Sequence, residues 1–275
     1  MDMVTREVVE GWLQHLYRAT GADSFFEPPF MKVASAHDPL WETFRSVIGP
    51  FHWTPQEALA QECPGAAAAS VVVFVMPIGK AARMDNRRVT GRPATSWARG
   101  RGFGSEVANL MSTQLCLLLA DAGHAASSPH QTMTRQKFDY AARGFSSAFS
   151  ERHAAFVAGL GTFGLSGGLI TEHGIAHRIG SIVTSLPLAA DTREYGDDPF
   201  AWCTRCGACM RRCPAGAIGA EVSDRDRRKC FEQVYVKNVP TQAHEYGWLK
   251  LGIGCGLCQT AVPCEERRPV AAKGY

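Results

Sequence analysis

Ten cysteines occur in 275 residues, and eight of them fall between positions 203 and 264. In a reducing compartment such crowding points to metal, because thiols there do not persist as disulfides. The run CTRCGACMRRCP (203–214) sets Cys203, Cys206, Cys209 and Cys213 in the order C-x2-C-x2-C-x3-C-P. Three thiolates two residues apart can be turned inward onto one 4Fe–4S cube, while the fourth, held before proline, ligates a second cube. The second cube then needs three more ligands and the first needs one. Cys230, Cys255, Cys258 and Cys264 stand downstream and meet both needs with none left over. On this count the first cluster takes Cys203, Cys206, Cys209 and Cys264, and the second takes Cys213, Cys230, Cys255 and Cys258. A single cluster is one alternative. Zinc is another, but a tetrahedral ion wants two separated pairs, which the crowded run does not offer.

The elements that must position these cysteines come in an alternating order. SVVVFVMP (70–77) is a short β-branched run stopped by proline, and RIGSIVTSLPL (178–188) reads as a second strand. SEVANLMSTQLCLLLADAG (105–123) reads as a helix closed by Gly123, with Val107, Leu110, Met111, Leu117 and Leu118 as its core face and Cys116 as packing. SERHAAFVAGLG (150–161) reads as a helix running into a glycine loop. Between them GRPATSWARGRGFG (91–104) lacks periodicity and is expected to be a loop, either at the surface or over a ligand. ADTREYGDDPF (190–200) is a polar linker, so the expected division is residues 1–195 and 196–275.

Lys+Arg 29 against Asp+Glu 26 gives a net charge of +3, which argues for neither nucleic acid nor a membrane as a main partner. DRDRRK (224–229) is expected to be a solvated helix face, with a docking patch for an acidic electron donor as the functional alternative. The N-terminal stretch carries Val4, Val8, Trp12 and Leu16 at four-residue intervals and reads as an amphipathic helix rather than a signal peptide. A cytoplasmic location is expected.

GLGTFG (159–164) matches G-x-G-x-x-G, but it follows a helix-like segment, and position 184, where an acidic residue belongs, is Thr. A dinucleotide site is therefore disfavoured. The glycines still permit close backbone approach to something flat, or merely a tight turn.

AGLG (158–161), ITEHG (170–174), Arg178, VTSLPL (183–188) and the cysteine run after them resemble the superfamily of reductive dehalogenases and epoxyqueuosine reductases. That resemblance implies an α+β chain in which a nitroreductase-like α/β sandwich holding base-off cobalamin precedes a bacterial-ferredoxin-like module with two 4Fe–4S clusters. Electrons would pass from an external low-potential donor of ferredoxin or flavodoxin type to the clusters and on to cobalt. Gly159, Leu160, Gly161, Gly164, Thr171 and Gly174 would lie against the corrinoid. Arg178 would stand near the substrate and, with a tyrosine, stabilise or protonate the product.

The departures matter. The aspartate proton donor of epoxyqueuosine reductases is replaced by Phe145, and the last cysteine follows as C-x5-C with Pro263 before Cys264. Tyr140 is the nearest tyrosine, and His153 is a second candidate acid, since imidazole can donate a proton near neutral pH. The expected function is reduction of a small organic substrate, at a carbon–halogen or carbon–oxygen bond. The alternative is an electron-transfer protein that reduces a corrinoid protein and has no organic substrate of its own.

Overall fold

The computed structural model describes residues 3–129, 146–238 and 254–270. Tyr140 and Phe145 lie outside them. Helix α1 (Arg6–Ala19) is followed by β1 (Phe30–Ser35), α2 (Leu40–Val47), α3 (Pro55–Ala60), β2 (Ser70–Pro77), α4 (Lys80–Arg87), α5 (Thr95–Asp121) and β3 (Ala126–Ser127). After the gap in the description come α6 (Glu151–Val157), β4 (Gly161–Phe163), β5 (Leu169–Thr171), β6 (His177–Thr184), α7 (Ala208–Arg212) and α8 (Arg227–Phe231).

The main sheet has the order β1-β2-β6-β3, and every pairing in it is antiparallel. All eight residues of β2 are buried, which explains its unbroken apolar run: both faces of the strand are covered. Val72, Phe74 and Met76 meet a core that includes α1 and α5, while Val71, Val73 and Val75 meet one that includes α2, α3 and α6. The arrangement is a mixed helix–sheet sandwich, three layers deep.

Two expectations about faces are corrected. Helix α1 buries Val9, Leu13, Leu16 and Tyr17, whereas Val8 is exposed. This set follows the i, i+4, i+7, i+8 stripe of a 3.6-residue helix, from which strict four-residue spacing drifts away. On α5, Ala108, Met111, Leu115 and Leu119 are buried, and Leu110 and Leu117 face out.

The glycine–arginine stretch expected to be a loop begins α5 instead, from Thr95. Gly100 and Gly104 weaken a helix intrinsically, but packing overrides propensity here. A Cβ on Gly104 would stand 2.7 Å from the Phe26 ring, and Trp97 is fully buried two turns earlier. Small residues are what let this helix lie so close to its neighbours.

The cysteine segment does not hang from a free linker. The Tyr195 hydroxyl donates to Phe156 O at 2.7 Å and accepts from Gly161 N at 3.2 Å, and its ring meets Trp202 edge-on. Asp191 receives both Val33 N and Arg6. A third core joins Ile170 and Ile175 to Trp202 and Val262, with Cys203, Cys209 and Cys264 packed against it.

Candidate iron–sulfur centre and reducing site

Cys203, Cys206, Cys209 and Cys264 line one recess, walled by Ile170, Ile175 and Val262. Local backbone creates the curl. Gly207 takes φ 70° at the start of α7, and Arg205 and Ala261 also adopt left-handed conformations. Cys264 arrives from a distant part of the chain, so its placement is tertiary. Its carbonyl accepts Ile175 N at 2.8 Å, and the next carbonyl, of Glu265, accepts Ala176 N at 3.2 Å. Burial pushes the Cys264 thiol up to about 12, with Cys209, Cys203 and Cys206 adding to the rise.

The remaining four cysteines form a second group. Burial raises Cys258, followed by the influence of Cys255, Cys230 and Cys213. Cys255 is pushed up to about 11 by burial, with Cys230 and Cys213 contributing. Cys213 Sγ accepts Ala217 N at 3.4 Å. The loop that presents Cys255 lies on α5. Gly256, at φ 64°, has no room for a side chain, since a Cβ there would stand 2.1 Å from the Trp97 indole. Among the described residues no three His, Cys, Asp or Glu side chains are gathered to hold a metal ion. Thiols spread around a recess suit the corners of a cube better than one tetrahedral ion. The donor set of the first recess, four thiols, fits a 4Fe–4S cluster.

An ion-pair clamp that the sequence did not reveal anchors the arm carrying Cys264. Glu265, 2% exposed, accepts Arg87 Nε on both oxygens at 2.8 Å and Ala261 N at 2.7 Å. Buried Arg83 stands 3.8 Å away and also pairs with Glu27 at 2.9 Å. No spacing rule ties residue 265 to α4; only the fold does.

The glycine loop faces protein. A Cβ on Gly159 would meet Thr192 O at 2.8 Å, one on Gly161 would meet Ile170 O at 2.0 Å, and one on Gly174 would meet Glu265 O at 2.3 Å. Leu160 is core, and Thr171 Oγ1 donates to Gly174 O at 2.9 Å. Gly164 lines the recess of the first cysteine set. The close approach these glycines allow is thus between protein segments, and Gly174 docks the Cys264 arm itself.

His153 requires correction as a proton donor. Its ring lies 4.7 Å from Phe44 and 4.8 Å from Phe163, and Nδ1 shares a 2.7 Å hydrogen bond with Ser150. Burial, then Arg152 and His52, push the imidazole down to about 3, so it is neutral near pH 7. It packs rather than protonates.

Arg178 stands on the α5 face of β6, opposite Met76. Nη1 donates to His177 O at 3.1 Å, and buried Nε has no partner. Burial and then Arg101 push its guanidinium down, while Tyr235 acts in the opposite sense. Tyr235 follows α8, in the π-helical turn Glu232–Lys237. Among the described residues it is the tyrosine whose charge acts on Arg178, and nothing local in the sequence links the two positions. A second missed group is Glu151 on α6. Burial pushes its carboxyl up to about 7, Ser181 acts against that shift, and Oε2 has no partner. Among the described residues no helix is long and apolar enough to cross a membrane.

Comparison with known proteins agrees with the thiol arrangement. A 4Fe–4S binding domain family matches residues 200–219, so the module is of the iron–sulfur class. A 134-residue stretch is 31% identical to the epoxyqueuosine reductase of Francisella cf. novicida (strain Fx1), covering 45% of this chain and 34% of that enzyme. A 112-residue stretch is 35% identical to the tetrachloroethene reductive dehalogenase of Desulfitobacterium hafniense, covering 38% and 20%. Among solved structures, a catabolic reductive dehalogenase superposes with a TM-score of 0.53 over 88% of this chain and 30% of that one, at 17% identity. The Streptococcus thermophilus epoxyqueuosine reductase superposes with a TM-score of 0.52 over 94% and 67%, at 13% identity. These two likenesses concern the fold alone. Over these stretches the chain is similar to reductive dehalogenases and epoxyqueuosine reductases. The matches span about a third or less of those curated relatives' length.

Proposed function

We propose that this protein is an oxidoreductase that passes electrons through two 4Fe–4S clusters to a bound cobalamin and thereby reduces an organic substrate. The observation that carries the reading is the gathering of Cys203, Cys206, Cys209 and Cys264 on one recess, which leaves Cys213, Cys230, Cys255 and Cys258 as a second set of four. The named relatives are reductases, which favours this reading over a shuttle without a substrate of its own.

The cobalamin part rests on a different observation. On the α5 face of β6, Arg178 Nε is buried and lacks a hydrogen-bond partner. An orphaned polar atom is costly, and a ligand rimmed with amides would satisfy it. One solved neighbour is described as a B12-dependent dehalogenase. Bound cobalamin would supply a strongly reducing metal centre for breaking a carbon–halogen or carbon–oxygen bond. Arg178 would hold negative charge developing on the substrate, and Tyr235 beside it would be the proton donor in place of Tyr140 or His153.

The proposed substrate is a small organic molecule. The net charge of +3 does not by itself favour a nucleic acid, but epoxyqueuosine reductases are among the relatives, so epoxyqueuosine-bearing RNA belongs in the substrate panel. The electron donor is proposed to be an external low-potential protein of ferredoxin or flavodoxin type.

The test is iron and corrinoid analysis of anaerobically reconstituted protein given hydroxocobalamin, then turnover with halogenated, epoxide and RNA substrates. Two cubes require about eight irons per chain. About four would overturn the two-cluster reading, and no retained corrinoid would overturn the cobalamin reading. Arg178→Ala is expected to lower turnover at least 100-fold while iron content stays unchanged, a loss of about 3 kcal/mol of transition-state stabilisation.

A further inference from the structure

The two cysteine groups differ sharply in their charged surroundings. Arg212 is half-buried, and its guanidinium is spent wholly on main-chain carbonyls. Nη1 donates to Val89 O and Nη2 to Asn86 O, both at 2.9 Å, while Nε reaches Thr260 O at 3.2 Å and Leu257 O at 3.4 Å. These acceptors belong to the end of α4 and to the loop that carries Cys255 and Cys258. No carboxylate is among them. Arg225 is also half-buried and packs over Gly167, where an added Cβ would stand 2.0 Å from Nη1. It forms no ion pair among the described residues. Arg152 donates to the carbonyl of that same Gly167 at 2.8 Å.

Around the first group the basic residues are of another kind. Arg205 is exposed and paired with Glu221 at 3.2 Å. Arg211 is exposed and donates to Cys206 O at 3.3 Å. Charges of this sort are screened by water and salt and contribute little. A half-buried guanidinium with only carbonyl partners keeps its field. Arg225 is placed at the second group by its neighbour: Asp226 N donates to Ala217 O at 2.9 Å and Asp226 O accepts Cys230 N at 3.3 Å, while Ala217 N donates to Cys213 Sγ at 3.4 Å.

We propose that Arg212 and Arg225 are redox-positioning residues: they hold uncompensated positive charge against the cluster of Cys213, Cys230, Cys255 and Cys258. That charge makes it the higher-potential cluster of the two. The inference rests on the two-cluster reading above. Reduction adds one electron to a cube already made anionic by four thiolates, so positive charge nearby favours the reduced form. Electrons entering at the first cluster would then settle on the second, whose loop lies against α5 and Arg101, the neighbour of Arg178.

The experiment is a potentiometric titration followed by electron paramagnetic resonance on the anaerobically reconstituted full chain, with iron measured on each sample. Wild type is expected to show two separate midpoints. Arg225→Gln should lower the higher one by at least about 59 mV, a tenfold change in the one-electron equilibrium, and leave the lower one in place. Arg212→Gln should do the same, and Arg212→Lys, which keeps the charge, should recover part of the shift. Arg205→Gln should move neither. Should Arg212→Gln shed iron, Arg225→Gln decides alone, because its side chain packs on Gly167 without forming an ion pair among the described residues. An unmoved higher midpoint with about eight irons retained overturns the inference, as does movement of the lower midpoint only. About four irons in wild type would instead overturn the two-cluster reading on which it stands.

Discussion

Glu265→Gln is the substitution that most directly tests how the Cys264 arm is held. The carboxylate is 2% exposed and meets Arg87 on both oxygens at 2.8 Å, with Arg83 at 3.8 Å. The amide would remove the charge and turn one set of donors towards guanidinium donors, leaving buried Arg83 with Glu27 and the more exposed Glu266 as its carboxylate partners beside the Ile78 carbonyl. Removing one partner of a buried pair costs about 3–5 kcal/mol, and the partial exposure of Arg87 places this case near 3. For a chain of this size each kcal/mol lowers the midpoint by roughly 2–4 °C, so a fall of about 6–12 °C is expected. The assay is an anaerobic thermal scan that follows helix signal and cluster absorbance together. The cluster signal should fail first, because Glu265 adjoins Cys264. Arg87→Ala should cost less, and adding it to Glu265→Gln should cost little more, since the two act as one unit. A fall below about 2 °C, or additive losses, would refute the view that this clamp secures the arm.

Two further outcomes are expected. Gly174→Ala combines φ 82° with a Cβ 2.3 Å from Glu265 O, whereas Gly216→Ala has φ 57° and open space. The first should prevent stable retention of iron and the second should cost only the ~1–2 kcal/mol of left-handed strain; equal behaviour in an anaerobic melt would contradict the packing argument. Glu151 has a folded-state pKa raised from 4.5 to about 7 by burial, so the folded chain holds this proton more tightly than the unfolded one. Its contribution is full below about pH 4.5 and is lost as pH rises through about 7, reaching about 3 kcal/mol by pH 8. Glu151→Gln should therefore gain stability relative to wild type between pH 5 and pH 8. Buried His52, His153 and His177 titrate in both proteins and cancel in that difference. Parallel melting curves across that range would show that the carboxyl is not buried as described.

What sequence alone determined is mostly local. C-x2-C-x2-C-x3-C-P states its chemistry because turn geometry at a three-residue repeat aims thiols at one cube. Strands β2 and β6 were legible because a buried strand and its turn signals lie within about eight residues. Gly159 and Gly161 were visible as positions that permit close approach or a tight turn, but not what approaches them. Tertiary structure decided that question: protein backbone fills the space, as the 2.0 Å Cβ clearance at Gly161 shows. It also decided that Thr95–Gly104 is helix, since Phe26 and the Gly256 loop pack against a stretch whose own propensity says loop. Glu265 with Arg87, Arg212 with the end of α4, and Tyr235 towards Arg178 join segments distant in the chain. Such pairs leave no periodicity to read, because each is set by where packed layers bring two surfaces together.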